Sequence, residues 1–252
     1  MSHRKRNKKF KKGLGKYSTF VHKWLGLTIG IQVVLWILSG LIFTIWDIEV
    51  IRSEHNIAEP PVVEFNATDS ILPLQTIIQT AGRPAKTATL KALGERKVYQ
   101  VDFGEGEPIL FDAATGAQIT PVGQDLALEL ALLDFKPEAA PAAPVWLTET
   151  NTEYRNVVPV WMIDMRDQEG TRIYISPDTG RVMARRSDKW RIFDFFWMLH
   201  IMDYEDRTDF NHPLLIFASV FALIFSITGI VMLFFRFKKK DFGLGGNGRK
   251  KA

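Results

Sequence analysis

The amino-acid sequence predicts an α+β membrane protein in which two transmembrane helices flank a domain of helices and strands. Three observations support this prediction: two long apolar runs, a basic segment on the outer side of each run, and an internal repeat between them. The apolar runs are residues 24–46 and 213–235. A helix of either length rises about 34 Å, enough to cross a hydrocarbon core of about 30 Å.

The charges are distributed unevenly along the chain. Residues 1–23 carry a net charge of +9, residues 236–252 carry +6 and residues 24–235 carry −11, within a total of +4. Basic flanks of membrane spans stay in the cytoplasm, so both tails are expected there. The segment between the spans is then expected in the periplasm, outside a bacterial inner membrane that the chain crosses twice.

Two other interpretations of the basic ends were considered. A signal peptide has a basic start, but its apolar region is usually about 7 to 15 residues long, and no A-x-A pattern follows Trp46. Basic ends can also bind nucleic acid. Here topology and anionic lipid explain tails that adjoin membrane spans, so the lipid bilayer is the expected partner and nucleic acid is not.

The repeat lies in residues 47–189, the expected periplasmic domain. Two segments share a Thr-Gly turn, which ends at Gly116 in the first segment and at Gly180 in the second. Each segment predicts a hairpin whose glycine has a positive φ. A predicted helix and strand precede each hairpin, which gives two α-β-β-β units.

The predicted elements have the following bounds. The helices are residues 70–81, with Asp69 or Ser70 as N-cap, and residues 124–134. The strands that precede the hairpins are residues 97–103 and 158–167, and the Pro- and Ala-rich residues 136–144 form a surface loop.

Several of these features resemble the PepSY-associated transmembrane family. They are the order of elements, the D-x-x-T-G type hairpins, the opening Val21-His22-Lys-Trp-Leu-Gly26 and the later Ser226-Ile-Thr-Gly229. The resemblance implies that the two α-β-β-β units are PepSY-like repeats. The two-span layout is similar to short inner-membrane proteins that support ferrous iron uptake by reducing ferric iron in the periplasm. Larger members include siderophore-iron reductases that carry haem.

Three of the five histidines lie near the ends of the apolar runs: His22, His200 and His212. Ionisable groups at such positions are costly and are often functional. Gly26 and Gly30 follow His22 at helical spacing, so a second backbone or a flat macrocycle could approach that face. Each of these residues also has an interpretation that requires no function. His22 would be an interfacial charge, the glycines would serve ordinary helix packing, and His212 would occupy a helix-cap position.

Residues 190–212 form an aromatic juxtamembrane segment followed by an acidic loop. His200 lies within an aromatic helical stripe, in which it needs a partner such as haem iron, although an aromatic belt at the membrane surface explains the stripe equally well. The stripe contains Trp190, Phe193, Trp197 and Tyr204. Four carboxylates follow, suited either to a hard cation such as Fe³⁺ or simply to solvent: Asp203, Glu205, Asp206 and Asp209.

Several kinds of chemistry are absent from the sequence. The chain contains no cysteine, which excludes disulfides, iron–sulfur clusters and thiol chemistry. It also lacks a G-x-G-x-x-G segment after a strand, a P-loop and an H-E-x-x-H motif. The tails, residues 1–23 and 236–252, are too short to fold a flavin or nicotinamide domain. Electrons would therefore come from quinol or a respiratory-chain partner.

The resulting hypothesis is a ferric reductase that assists iron acquisition. Haem b would be held by paired histidines, His22 at one face and His200 or His212 at the other, shared across a homodimer. Ferric iron or a ferric chelate would be the substrate, and a ferrous iron transporter a possible partner. Two alternatives remain: a non-enzymatic binding module for a transporter, protease or sensor, and an iron chaperone without redox activity.

Overall fold

The computed structural model describes residues 2–237 and 241, with side chains from residue 13 onward. These residues form two compact units. The first contains the described parts of Met1–Ile45 and Phe195–Ala252, and the second is Trp46–Asp194. Most of the basic segment expected at residues 236–252 lies outside the described residues.

The first unit contains two long helices, α1 (Ser2–Ile45) and α6 (Pro213–Arg236). Each has a segment long and apolar enough to cross a membrane, Gly13–Ile45 and Pro213–Arg236. The start expected for the first span, residue 24, is not a helix boundary. No proline interrupts the basic segment, and Lys and Arg are good helix formers, so α1 begins at Ser2.

The two long helices pack antiparallel, and their contacts fix the register. A Cβ added to Gly15 would contact Phe235, and one added to Gly26 would contact Phe225. Buried Ile29 belongs to the same apolar cluster as Ala218 and Ala222. At 1.5 Å per residue, α6 therefore runs beside roughly residues 15–37 of α1. His22 consequently lies within the paired region of the two helices.

The second unit contains two antiparallel sheets, each preceded in the chain by a helix. The first sheet has the order β1-β2-β3 and the second β4-β5-β6-β7. Before the first sheet come α2 (Ile48–Ile51), a 3-10 turn (Glu54–Asn56) and α3 (Leu74–Ala81), and the sheet consists of β1 (Thr87–Leu93), β2 (Arg96–Asp102) and β3 (Ile109–Asp112). Then follow α4 (Gln124–Asp134), β4 (Val145–Leu147), β5 (Val160–Asp164), β6 (Arg172–Ile175), β7 (Val182–Arg186) and α5 (Asp188–Ile201).

The helix expected at residues 124–134 is confirmed, but the N-cap expected for the earlier helix is wrong. That helix begins at Leu74 after Pro73. Asp69 instead accepts a hydrogen bond from the backbone N–H of Asn66 and forms an ion pair with Lys97. Strands β1 and β4 were not predicted, and the strand expected after Gly116 is reduced to one bridge residue, Gln118.

One apolar core joins α4 to both sheets. Val98 of β2 and Ile173 of β6 are fully buried in it, together with Ala131 of α4. The next residue of β2, Tyr99, lies on the opposite face and packs with Ile77 of α3. Because successive strand residues face opposite sides, the first sheet is covered by α3 on one face and by α4 on the other.

Both Thr-Gly turns have the predicted glycine conformation. The φ angles are 74° at Gly116 and 65° at Gly180. At the start of the first turn, the Asp112 side chain accepts hydrogen bonds from the backbone N–H groups of Ala114 and Thr115. In the second turn, Ser176 Oγ accepts them from the N–H groups of Asp178 and Thr179. The turns therefore use equivalent side-chain acceptors at equivalent positions.

We predict that Gly180→Ala destabilises the protein more than Gly106→Ala does. Both glycines have positive φ angles, which costs a non-glycine residue about 1–2 kcal/mol. A Cβ at Gly180 would also lie 2.7 Å from Leu93 Cδ1, whereas nothing lies within 4 Å of one at Gly106. Overpacking should add about 1–3 kcal/mol. Chemical unfolding of the detergent-solubilised variants measures the difference, and equal losses would contradict the packing argument.

Candidate functional site

His22 lies between the two long helices, held by the later of the two short motifs. Its Nδ1 is 3.0 Å from the carbonyl oxygen of Phe225 and 3.2 Å from Thr228 Oγ1. Its ring stacks on the Phe225 ring with centroids 4.1 Å apart and planes 7° apart. A Cβ on Gly229 would lie 3.0 Å from His22 Cε1, so the ring packs closely against this glycine.

These contacts determine which nitrogen of His22 carries the proton. A carbonyl oxygen can only accept, and Thr228 Oγ1 already donates to that same carbonyl at 2.8 Å. Nδ1 must therefore carry a proton, and in the neutral ring Nε2 then holds the lone pair. Nε2 has no hydrogen-bond partner among the side chains that the structure describes from residue 13 to residue 237. An imidazole held through Nδ1–H with Nε2 free has the arrangement of a metal ligand.

Of the two glycines that follow His22 on α1, Gly26 packs against α6 and Gly30 does not. The Phe225 ring covers Gly26, where an added Cβ would lie 3.1 Å from Phe225 Cε2. Nothing lies within 4 Å of a Cβ built on Gly30. Ser18 also donates to the Thr228 carbonyl at 2.9 Å. The two short motifs, 21–26 and 226–229, thus form one contact region.

His200 is held by the C-terminal part of α1. Its Nδ1 lies 2.7 Å from Ser39 Oγ, and its ring contacts the edge of Phe43. Ser39 is fully buried and donates its own proton to the Trp36 carbonyl at 3.0 Å. Its oxygen must therefore accept from His200 Nδ1–H. Nε2 of His200 again keeps its lone pair, with no partner in the described part of the chain.

Side chains from α1 and from the start of α6 satisfy the last carbonyls of α5, which have no partner within that helix. Gln32 Nε2 donates to the Leu199 carbonyl at 3.1 Å, and Trp36 Nε1 donates to the His200 carbonyl at 2.7 Å. His212 Nε2 donates to the third carbonyl, that of Ile201, at 2.9 Å. These bonds fix the end of α5, and with it the position of His200.

His212 differs from the other two histidines because both of its nitrogens are engaged. While Nε2 donates to Ile201, Nδ1 accepts from the backbone N–H of Leu215 and caps α6. No lone pair is left for iron in this conformation. The structure thus supports the capping interpretation of His212 and leaves His22 and His200 as the residues with ligand geometry.

The predicted aromatic stripe around His200 lies on α5 except for its last member. Helix α5 ends at Ile201, so Tyr204 lies outside it and is exposed. Trp190 belongs to the second unit, where the Arg186 guanidinium lies 4.2 Å from its ring centroid. Trp197 donates to the Arg207 carbonyl at 3.1 Å in the first unit. The two tryptophans thus have different partners.

The acidic loop after α5 is organised by Asp203. Its two oxygens accept backbone N–H bonds from four loop residues: Glu205, Asp206, Thr208 and Asp209. Slight burial raises the pKa of Asp203, but the hydrogen bonds from these N–H groups lower the pKa by more than burial raises it. The pKa of Asp203 therefore lies below its usual 3.8. The loop lines a cavity of about 320 Å³ together with Met202, Tyr204 and His212.

The predicted metal residues are close in space but do not form a ready coordination set. Glu205, Asp206 and Asp209 are exposed, and Asp203 is committed to the loop backbone. Among the described residues, no three His, Asp or Glu side chains are placed to hold a metal ion. The loop therefore offers negative charge to a cation in solution more than a preformed binding site.

A further histidine, His55, has a partner that its position in the sequence did not indicate. His55 Nε2 lies 3.1 Å from Glu169 Oε2, and Lys189 Nζ lies 2.7 Å from Glu169 Oε1. The hydrogen bond from Lys189 is the main cause that lowers the pKa of Glu169. Glu169 thus joins the segment after α1 to the first turn of α5 within the second unit.

Comparison with known proteins gives one family. The family model described as the PepSY-associated TM region matches residues 19–252, which is most of the chain. No curated protein and no solved structure matches this chain. The match includes both short motifs that meet at His22.

We predict that Gly229→Ala displaces the His22 imidazole. The new Cβ would lie 3.0 Å from Cε1, so the ring would have to move by a few tenths of an ångström against Phe225 and Thr228. We expect a loss of about 1–3 kcal/mol in unfolding free energy, and a shift of the hydrogen-bonded Nδ1–H signal in nitrogen NMR of labelled histidine. Gly40→Ala is the control, because nothing lies within 4 Å of its added Cβ. An unchanged NMR signal in the Gly229 variant would refute this placement.

We also predict that His200 contributes to acid sensitivity. Burial lowers the pKa of His200 below its usual 6.5. Between the two values the unfolded chain binds a proton that the folded chain does not, so stability present above about pH 6.5 is lost as the pH falls. His200→Asn keeps a donor near Ser39 but does not titrate. Its thermal midpoint should fall less than the parent's between about pH 7 and pH 5, and parallel curves would disprove the assignment.

Proposed function

The chain belongs to the family of the PepSY-associated TM region, and from that premise we propose that it assists iron acquisition by reducing ferric iron at a bacterial inner membrane. Both termini would lie in the cytoplasm and Trp46–Asp194 in the periplasm. The net charges of +9 and +6 on the tails and −11 between them support this orientation. We also infer that the two helix-and-sheet segments of the second unit are PepSY-like repeats.

One observation carries the redox proposal: His22 and His200 both donate through Nδ1 and keep Nε2 free. His22 lies on α1 and contacts α6, whereas His200 lies on α5 and contacts α1 at Ser39. From His22 to Ser39, the partner of His200, the axis of α1 rises about 26 Å. The two free lone pairs thus lie near opposite ends of the helix pair, as transfer of electrons across a membrane requires.

The donor set of these imidazoles fits haem b. Haem, when bound, supplies a one-electron carrier. His22 would hold haem towards the cytoplasmic side and His200 would hold haem towards the periplasmic side. About 26 Å of helix separates them, so the two cannot bind the same iron. A second copy of the chain would supply the matching imidazole at each depth.

The remaining residues prepare these ligands and the outer surface. The carbonyl of Phe225 and the hydroxyl of Ser39 hold the two rings in the Nε2-free tautomer. The acidic loop would raise the local concentration of ferric iron or a cationic ferric chelate, with Glu205, Asp206 and Asp209 exposed to it. Asp203 keeps the loop folded. A ferrous iron transporter is the partner that would take up the product.

The electron balance defines the other substrate. Each Fe³⁺ takes up one electron to become Fe²⁺. A quinol gives up two electrons and two protons to become a quinone, so one quinol reduces two ferric ions. The proposed donor is quinol in the bilayer or another respiratory-chain component.

We predict that His22→Ala and His200→Ala each lower ferric reduction by intact cells at least about tenfold, because each removes an imidazole that would hold haem. The detergent-purified parent should show a Soret band and a reducible α-band, and each variant should lose part of both. His55→Asn is the matched control: His55 pairs with Glu169 in the second unit, and its variant should keep the spectrum.

Two outcomes would reject this function. A parent protein without a Soret band, purified from cells with ample haem, would reject the haem proposal. Unchanged reduction rates in both alanine variants would remove the imidazoles from the mechanism. In that case the non-enzymatic binding module would be favoured, and the domain should bind its partner without redox chemistry.

A further inference from the structure

The two long helices of the first unit carry positive charge without an acidic partner of their own. The sequence has no Asp or Glu in residues 1–46 or in residues 210–240. Lys16, Lys23 and Arg236 are exposed, and within the described part of the chain none of them forms an ion pair. The anions that balance these cations must therefore come from the surroundings of the helices.

Two of these cations share one face of α1 with aromatic side chains. Lys16 and Lys23 are seven residues apart, which is two helical turns or about 10.5 Å along the axis. Because the Cα–Cβ bonds of a helix tilt towards its N-terminus, the Lys23 side chain leans towards Lys16. We name this surface the basic–aromatic face, and all of its members are exposed. They are Lys16, Tyr17, Phe20, Lys23 and Trp24.

The basic–aromatic face lies on the side of α1 that points away from α6. The contacts of this part of α1 with α6 are made by Gly15, Ser18, His22 and Gly26. At about 100° per residue, the mean direction of these four positions differs from that of the basic–aromatic face by about 160°. In a chain that crosses a membrane, the basic–aromatic face is therefore turned towards the lipid that surrounds the helix pair.

The aromatic side chains favour a phospholipid over a free anion. Tyr17, Phe20 and Trp24 are 69%, 61% and 49% exposed. Tyrosine and tryptophan are enriched at the boundary between the headgroups and the acyl chains of a membrane. The Lys23 ammonium lies 5.5 Å from the Trp24 ring centroid, so a cation and an aromatic ring occur together at this face. A free phosphate would contact the ammonium groups and leave the rings uncovered.

We propose that the basic–aromatic face binds an anionic phospholipid. The phosphate accepts hydrogen bonds from the ammonium groups of Lys16 and Lys23, and the acyl chains pack against the aromatic rings. The net charge of +9 on residues 1–23 attracts anionic lipid in general, whereas this face holds one lipid at a defined place. The site requires neither haem nor iron, so it does not depend on the proposed function.

The test uses the full chain in bilayers that contain brominated lipid, which quenches the fluorescence of a tryptophan that it touches. The difference between the parent and Trp24→Phe gives the quenching at Trp24 alone. We expect brominated phosphatidylglycerol to associate there at least about fivefold more strongly than brominated phosphatidylcholine, since one lysine near an anionic lipid provides about that factor. The double variant Lys16→Gln and Lys23→Gln should remove this preference.

The matched control is the double variant Lys86→Gln and Lys136→Gln. Both lysines are exposed and belong to the second unit, and their replacement changes the net charge by the same amount. The control should keep the preference for phosphatidylglycerol. Inorganic phosphate, added at constant ionic strength, should also leave the preference unchanged, because a free anion does not replace the contacts of the acyl chains.

Equal association of the two lipids with the parent would overturn the proposal. A preference that persists without Lys16 and Lys23 would also overturn it, because the tails would then attract anionic lipid without a defined site. A preference that is lost in the control would show that net charge alone is responsible. Loss of the preference in inorganic phosphate would indicate a site for a free anion and reject the phospholipid.

Discussion

The structure of the membrane unit depends on one constraint: polar backbone and ring groups beside an apolar environment must find partners within the protein. The end of α5 illustrates it. Its last three carbonyls receive donors from Gln32, Trp36 and His212, one of which also caps the start of α6. Side chains therefore satisfy the backbone groups at the end of α5 and at the start of α6. The acidic loop can connect the two helices without leaving these carbonyls unpaired.

The same constraint orients the imidazole rings of His22 and His200. Each ring must place one N–H on an acceptor, and in both cases this is Nδ1, against the Phe225 carbonyl or the Ser39 oxygen. The other nitrogen is then basic and free as a consequence of packing. His212 is held differently, because its Nδ1 accepts a hydrogen bond from Leu215 and its Nε2 donates one to Ile201. Neither nitrogen of His212 therefore has a free lone pair. Three histidines near two helices thus have two different roles.

The sequence was sufficient for features that depend on local pattern. Apolar length predicted both spans, and the Thr-Gly turns predicted positive φ at Gly116 and Gly180, because both follow from neighbouring residues. The partners of His22 could not be predicted, since Thr228 is distant in the sequence and only helix packing brings it near. Strand β1 was missed because its stability comes from pairing with β2 and from burial, more than from its own residues.

The number of candidate spans bears on how the proposed haem sites would be completed. Two helices have one mutual contact, and in this chain that contact is filled by Ile29, Ala218, Ala222 and Phe225. A haem bound by His22 would therefore have to lie outside this contact, against the helix pair on one side alone. Further helices would have to cover its other side, and a second copy of the chain is the source that the proposed function names.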